Sequence, residues 1–155
     1  MKKYAGLAVF LVLVFGSQLF AQEIGKLFSK HEADILFGKV LNSVEIDKAK
    51  LAGLTDINSD AFMFKISAGE LLILDENRKT LYPDDRTVSE KEIFYYFSKS
   101  KVKEFLSAGA TDVIKVEMRE STLTLTGRDN TLEQAMLCPP FCPVKYFNNG
   151  TVTVK

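Results

Sequence analysis

The sequence predicts an α+β fold: a single small domain, with an antiparallel sheet of several hairpins and helices packed on one face, after a cleaved signal peptide. Three observations predict it. Apolar and polar residues alternate in Phe62-Met63-Phe64-Lys65-Ile66, and again around Val116–Met118 and Leu123–Leu125, which is the period of a strand. Apolar residues recur instead at helical spacing near the mature N-terminus and around Val102, Phe105 and Leu106. The first twenty-one residues have the layout of an export signal.

That layout is a short basic start, Met1-Lys2-Lys3, then an uncharged apolar run from Ala5 to Phe15, a break at Gly16-Ser17-Gln18, and Leu19-Phe20-Ala21 before Gln22. The run is too short to anchor in a bilayer, so cleavage is expected after Ala21, leaving residues 22–155 as one domain with no membrane anchor. The expected location is exported, periplasmic or extracellular, and the Lys-Lys start fits a bacterial source. Losing Lys2 and Lys3 leaves 18 basic and 20 acidic residues, a net charge of −2. A near-neutral chain without a basic block lacks the electrostatic footprint of a nucleic-acid binder and any cluster for anionic lipid.

In chain order, Glu23 to Val44 reads as helical, with Ile24, Leu27, Phe28 and Ile35 on one stripe, although Ile35 to Leu41 also fits a strand. Asp47 is placed to cap a short helix ending at Gly53. Strands follow at 61–66, 71–74 and 80–82, the first two forming a hairpin around Ala68-Gly69-Glu70. Ser89-Glu90-Lys91-Glu92 matches a capping box, so a helix is expected there with Ile93, Phe94 and Phe97 on its apolar face; after a break at Ser98-Lys99-Ser100, Val102, Phe105 and Leu106 form another face, on the same helix bent or on a second one, with Gly109 as the stop. A second hairpin, 113–118 with 122–126, is expected to keep one wet face. Gly127 to Asn130 reads as a loop, and Asn149-Gly150 marks a last hairpin over 144–154.

The chemistry concentrates in Cys138-Pro139-Pro140-Phe141-Cys142-Pro143, which holds both cysteines and three of the four prolines. In an exported chain two cysteines this close are first a disulfide. A fully extended polyproline path would set their Cα atoms about 12 Å apart, whereas a disulfide needs roughly 7 Å or less; a turn over Pro140-Phe141 closes that gap. So small a ring contributes about 2 kcal/mol in the chain-entropy model, and its value is local. The pair can also be read as a working dithiol. The pattern C-P-x-x-C-P, carried by Cys138, Pro139, Cys142 and Pro143, resembles the copper motif of the synthesis-of-cytochrome-oxidase copper chaperones. That resemblance covers six residues and implies Cu(I) as cofactor in a thioredoxin-like fold with a downstream histidine ligand. Here thirteen residues follow Cys142 and none is histidine, which leaves Met136 and His31 as the possible soft ligands.

Other constellations are partial. His31 is the one histidine, so no multi-histidine zinc site can form, and it reads as a solvated residue on a polar helix face. Asp56-Ile57-Asn58-Ser59-Asp60 begins like a calcium loop but has Ala61 where glycine is needed and Ser67 where a bidentate glutamate is needed; a side-chain-capped turn is the plainer reading. Asp84 and Asp85 are the acidic pair a hydrolase would have to place in a cleft. In Phe94-Tyr95-Tyr96-Phe97 a helix cannot hide four consecutive rings on one stripe, so Tyr95 and Tyr96 are candidate contact residues. The expectation is a small exported binding module without a catalytic constellation, with an unidentified protein or small-molecule partner, a structural disulfide and no cofactor; the alternative is a dithiol protein for copper or redox work.

Overall fold

The computed structural model describes residues 23–84, 86–108 and 111–138. Expectations for the signal segment, Asp85, Gly109, Cys142 and the 144–154 hairpin fall outside those residues. Among the described residues the fold is α+β, with three helices and two antiparallel sheets in place of the single sheet expected. The strands are β1 (Lys26–Ser29), β2 (Val40–Asp47), β3 (Ala61–Ser67), β4 (Glu70–Asp75), β5 (Thr80–Tyr82), β6 (Phe94–Ser98), β7 (Val113–Arg119), β8 (Leu123–Thr126), β9 (Asn130–Glu133) and β10 (Met136–Cys138). The helices are α1 (Lys30–Phe37), α2 (Lys48–Leu54) and α3 (Lys99–Ala108). One sheet, the first, runs β1-β9-β8-β7-β2; the second runs β10-β6-β3-β4-β5.

The inward faces of both sheets share one apolar core. Phe62, Phe64, Ile73 and Phe97 from the second sheet meet Ile114, Val116, Leu123, Leu125 and Leu132 from the first, all at or below 1 % exposure. Helices α2 and α3 add Leu51, Val102, Phe105 and Leu106 to that same core, and α3 touches β1 and β9 as well as β3 and β6. They therefore plug the space between the sheets and do not lie on one outer face as expected.

Glu23 to Val44 is not one helix. Ser29 and Glu32 make a complete capping box: the Ser29 N–H donates to Glu32 Oε2 at 2.8 Å and the Glu32 N–H to Ser29 Oγ at 3.3 Å. That starts α1 after β1. Gly38, at φ +76°, ends it, and an added Cβ there would run into the Glu120 side chain. Val40 to Asp47 then pairs with β7, with a bulge between Val40 and Asn42. Of the two readings of residues 35–41, the helix holds through Phe37 and the strand takes over at Val40.

The Ser89 capping box forms only in half: the Ser89 N–H donates to Glu92 Oε1 at 3.1 Å, but the Glu92 N–H goes to the Ser89 carbonyl at 3.1 Å and the Ser89 hydroxyl accepts instead from the Lys91 N–H at 3.3 Å. No helix follows it. Phe94 to Ser98 is a strand between β3 and β10, in register Phe62↔Phe97 and Met136↔Tyr96. Four aromatic side chains have one apolar stripe in a helix but two buried faces in a central strand, so packing overrides the local start signal. Asn130 opens β9 where a loop was expected, because the Gly127 N–H reaches the Asn130 carbonyl at 2.9 Å and folds the chain straight back. The 61–75 hairpin forms as expected, with Ala68 and Gly69 both at positive φ.

Each sheet has a connection across its outer face. From β1 to β2 the chain passes between opposite edges of the first sheet, a span of about 19 Å for four strand spacings. Eight residues of α1 cover about 12 Å of it, and Gly38-Lys39 the rest. From β5 to β6 the chain crosses β4 and β3 of the second sheet.

A buried polar face beneath an apolar corner

The face of the first sheet expected to be wet is buried. Glu117, Arg119, Thr122, Thr124, Thr126, Thr131 and Glu133 are all at or below 8 % exposure. They share a face because strand neighbours two apart point the same way and because the register sets Glu117 against Thr124 and Thr126 against Thr131. Arg119 organises the group. Its guanidinium donates to Thr124 Oγ1 at 3.3 Å, Asp34 Oδ1 at 2.8 Å, the Gly38 carbonyl at 3.1 Å and Glu117 Oε2 at 2.9 Å. Glu117 also accepts from Thr126 Oγ1 at 2.9 Å. The buried pair is thus satisfied on both sides, the condition under which such a pair is tolerable.

Two of the four Arg119 contacts belong to α1 and its cap. Phe37 adds an edge-to-face contact with Phe28 at 5.1 Å, Ala33 is fully buried, and the Ser121 hydroxyl donates to the Phe37 carbonyl at 3.2 Å. The polar face therefore fixes the end of α1 and the first residues of β2. That corner displays Ile35, Leu36, Val40 and Leu41 at 69, 59, 43 and 66 % exposure. Apolar side chains this exposed and this close in sequence mark a contact surface more than isolated ones do. Beside them, β2 is an edge strand: it pairs with β7 on one side and with no other strand among the described residues.

Glu133 lies on the same face as Glu117. Burial holds its carboxyl above the usual range, partly offset by bonds from Thr122 and the Gln134 backbone. The outer face of the second sheet contrasts with it: Ala61, Met63, Leu72, Leu74, Phe94 and Cys138 are fully buried and apolar there, with Val88 of the β5–β6 connection packed on them.

Of the site residues taken from the sequence, Cys138 sits at the end of β10 opposite Phe94, and Met136 opposite Tyr96, both on the outer face of the second sheet. Cys142 is outside the described residues. A cleft of about 450 Å³ between Ile24, Gly25, Gln134 and Met136 opens beside β10. His31 is exposed on α1, over the outer face of the other sheet, so both sheets separate it from Cys138. Tyr95 points inward, its hydroxyl 3.8 Å from Met118 Sδ, and burial, then Glu133, push its hydroxyl up. Tyr96 is 6 % exposed, and burial, with Glu76 and Asp60 nearby, pushes it up to about 12. Neither tyrosine forms an exposed surface. Residues 56–60 form a capped turn, the Ser59 hydroxyl donating to the Ala61 carbonyl at 2.6 Å and bonding Glu76. Asp84 is exposed.

Sequence reasoning missed both the polar face and the corner. The signals were present: Glu117-x-Arg119 places opposite charges on one side of a strand, Thr122-x-Thr124-x-Thr126 repeats a small polar residue on its neighbour, and Ser29-x-x-Glu32 is a capping box. The chain matches no family model, no curated protein and no solved structure.

Proposed function

We propose that this chain is an exported, periplasmic or extracellular binding module without catalytic activity, that it engages a protein partner through the α1–β2 corner, and that Cys138 and Cys142 form a structural disulfide after β10. One observation carries the reading: Ile35, Leu36, Val40 and Leu41 stand exposed together on a corner held by a buried ion-pair network. An apolar surface kept rigid at the cost of burying charge is suited to a preorganised contact. The test is site-specific photo-cross-linking from position 36 in the exported protein. A discrete adduct from position 36, missing when the cross-linker stands at exposed Glu104 on α3, supports the reading; identical patterns from both positions overturn it.

The alternative, a Cu(I) or redox dithiol on Cys138 and Cys142 with Met136 as a soft ligand, requires both cysteines to be reduced. Intact mass after alkylation without reduction separates the two. A mass beginning at Gln22 with no adduct fits export and the disulfide; two adducts fit the dithiol and lead to Cu(I) titration.

A further inference from the structure

We propose that α1 is a cover released by acid: protonation of Glu117 and Asp34 strands the Arg119 guanidinium, frees α1 from the first sheet and dismantles the α1–β2 corner; this rests on the binding reading above and adds its regulation. Arg119 has two carboxylate partners, Asp34 on α1 at 2.8 Å and Glu117 on its own strand at 2.9 Å. Once both are neutral, a guanidinium only 1 % exposed has no counter-charge, a state that is strongly unfavourable until water reaches it. Lifting α1 admits that water with little loss of packing. The one fully buried residue of α1 is Ala33, whereas α2 and α3 are rooted in the core through Leu51, Val102, Phe105 and Leu106. Ile35 and Leu36 leave with α1, while Val40 and Leu41 stay on β2, so the apolar corner divides.

The other charged groups around Arg119 do not take over. On α1, the Glu32 carboxyl is held below its usual range, first by the Ser29 hydroxyl and then by the Ser29 N–H. Its support of the helix is present above the unfolded pKa and is lost as pH falls through the folded one. With Glu32 and Asp34 neutral, the exposed Lys30 and His31 leave α1 with positive charge alone. On β9, burial favours the neutral form of Glu133, so acid relieves a penalty there but supplies no anion. Lys26 of β1 stands opposite Glu133, and Lys115 of β7 opposite Glu45 of β2; both lysines are exposed and have the wrong sign. Glu45, and Glu120 beside Gly38, are exposed carboxylates that lose charge in the same descent. Strand β8 presents only threonines on this face. In the β8–β9 turn Arg128 and Asp129 are exposed, and the Asp129 carbonyl accepts from the Lys30 N–H at 3.1 Å. That backbone bond does not titrate, so release begins at the Phe37 end. The cover of the second sheet also uses carboxylates, Glu92 with Lys65 and Glu70 with Arg86. Those pairs lie at its margins over an apolar cluster, so acid strands no charge there.

The test is hydrogen exchange of the exported protein at about pH 7 and about pH 3.5, a pair that brackets the ordinary carboxylate range, with rates corrected for their intrinsic pH dependence. In acid, protection of α1 is expected to fall at least about tenfold relative to the β3–β4 hairpin. Arg119→Met with Glu117→Leu leaves no charge to strand and should abolish most of that relative loss. Asp34→Ala, at a half-exposed position outside the core, keeps the proposal testable if the double variant does not fold. It should lower α1 protection about threefold at neutral pH, with circular dichroism unchanged. Full protection of α1 in acid, equal loss in the β3–β4 hairpin, or an Asp34→Ala helix as protected as the native one overturns the proposal, as does a folded double variant that keeps the acid response. Cross-linking from position 36 at both pH values separates the two readings. If α1 opens in acid but position 36 cross-links at neither pH, the release stands and the binding reading fails. If α1 stays closed and position 36 gives its adduct at both, the release fails and the binding reading stands.

Discussion

The outer faces of the two sheets solve one problem in opposite ways. Both are buried beneath a connection that runs across the sheet. In the second sheet the covered side chains are Met63, Leu72, Leu74 and Phe94, which lose nothing by leaving water. The connection over them is fastened at its margins: Arg78 Nη2 donates to the Ser89 and Glu92 carbonyls at 3.0 and 2.9 Å, and Lys65 pairs with Glu92 at 2.7 Å. In the first sheet the covered side chains are polar, and the fastening is in the middle, through Arg119. An apolar face tolerates any cover. A polar face tolerates only one that completes its bonds, which makes the position of α1 more narrowly specified than that of the β5–β6 connection.

The comparison breaks most readily at Arg119. Arg119→Ala leaves Glu117 buried without its counter-charge, and a loss of about 3–5 kcal/mol is expected. Replacing both partners with apolar residues, Arg119→Met with Glu117→Leu, should cost far less, since no charge is then stranded. Urea unfolding of both variants measures the difference. A single variant that loses under about 1 kcal/mol would mean that water reaches this face after all. On the second sheet, Leu72→Ala should cost about 2–5 kcal/mol through a cavity alone, and no second substitution among its polar neighbours should rescue it.

The two faces also differ in how far the sequence disclosed them. Phe62, Phe64, Leu71 and Ile73 are legible because alternation and a positive-φ turn agree on a hairpin. Phe94 to Phe97 are not, because the Ser89-x-x-Glu92 pattern announces a helix and only the partner strands β3 and β10 decide otherwise. Arg119 is illegible for a related reason. A charged residue at a strand end reads as solvated unless it is known that α1 crosses above it, and that crossing follows from β1 and β2 taking opposite edges of one sheet. Long-range pairing carries this information, and no local window contains it. The burial of Cys138 opposite Phe94 was not legible either.

A smaller effect sharpens the claim that α1 is held from both ends. Ser29→Ala removes the N-cap acceptor and should cost about 1 kcal/mol. Hydrogen exchange should then rise first in the opening turn of α1, while the Phe37 end, still tied by Arg119, stays protected. Equal loss along the helix would mean that the Arg119 network does not act as a separate clamp.

The least disruptive test uses pH, because one carboxylate on each side of the molecule is perturbed in opposite senses. The Glu133 carboxyl, beneath the first sheet's cover, is held above its usual range, chiefly by burial. The folded state therefore binds the proton more tightly than the unfolded chain does. Its ionised form opposes folding above the folded pKa, and that penalty disappears as pH falls through the folded pKa towards the unfolded value. Glu92, at the margin of the other cover, is held below its usual range, first by the Lys65 bond and then by the Ser89 backbone N–H. Its contribution is present above the unfolded pKa and is lost as pH falls through the folded one. Glu133→Gln should accordingly raise stability at neutral pH and flatten the profile above the usual carboxylate pKa. Glu92→Gln should lower stability at neutral pH and flatten the profile below it. Urea midpoints from pH 3 to 8 for the two variants test the pair of signs. If both variants shift in the same direction, the two covers do not differ electrostatically as their buried faces require.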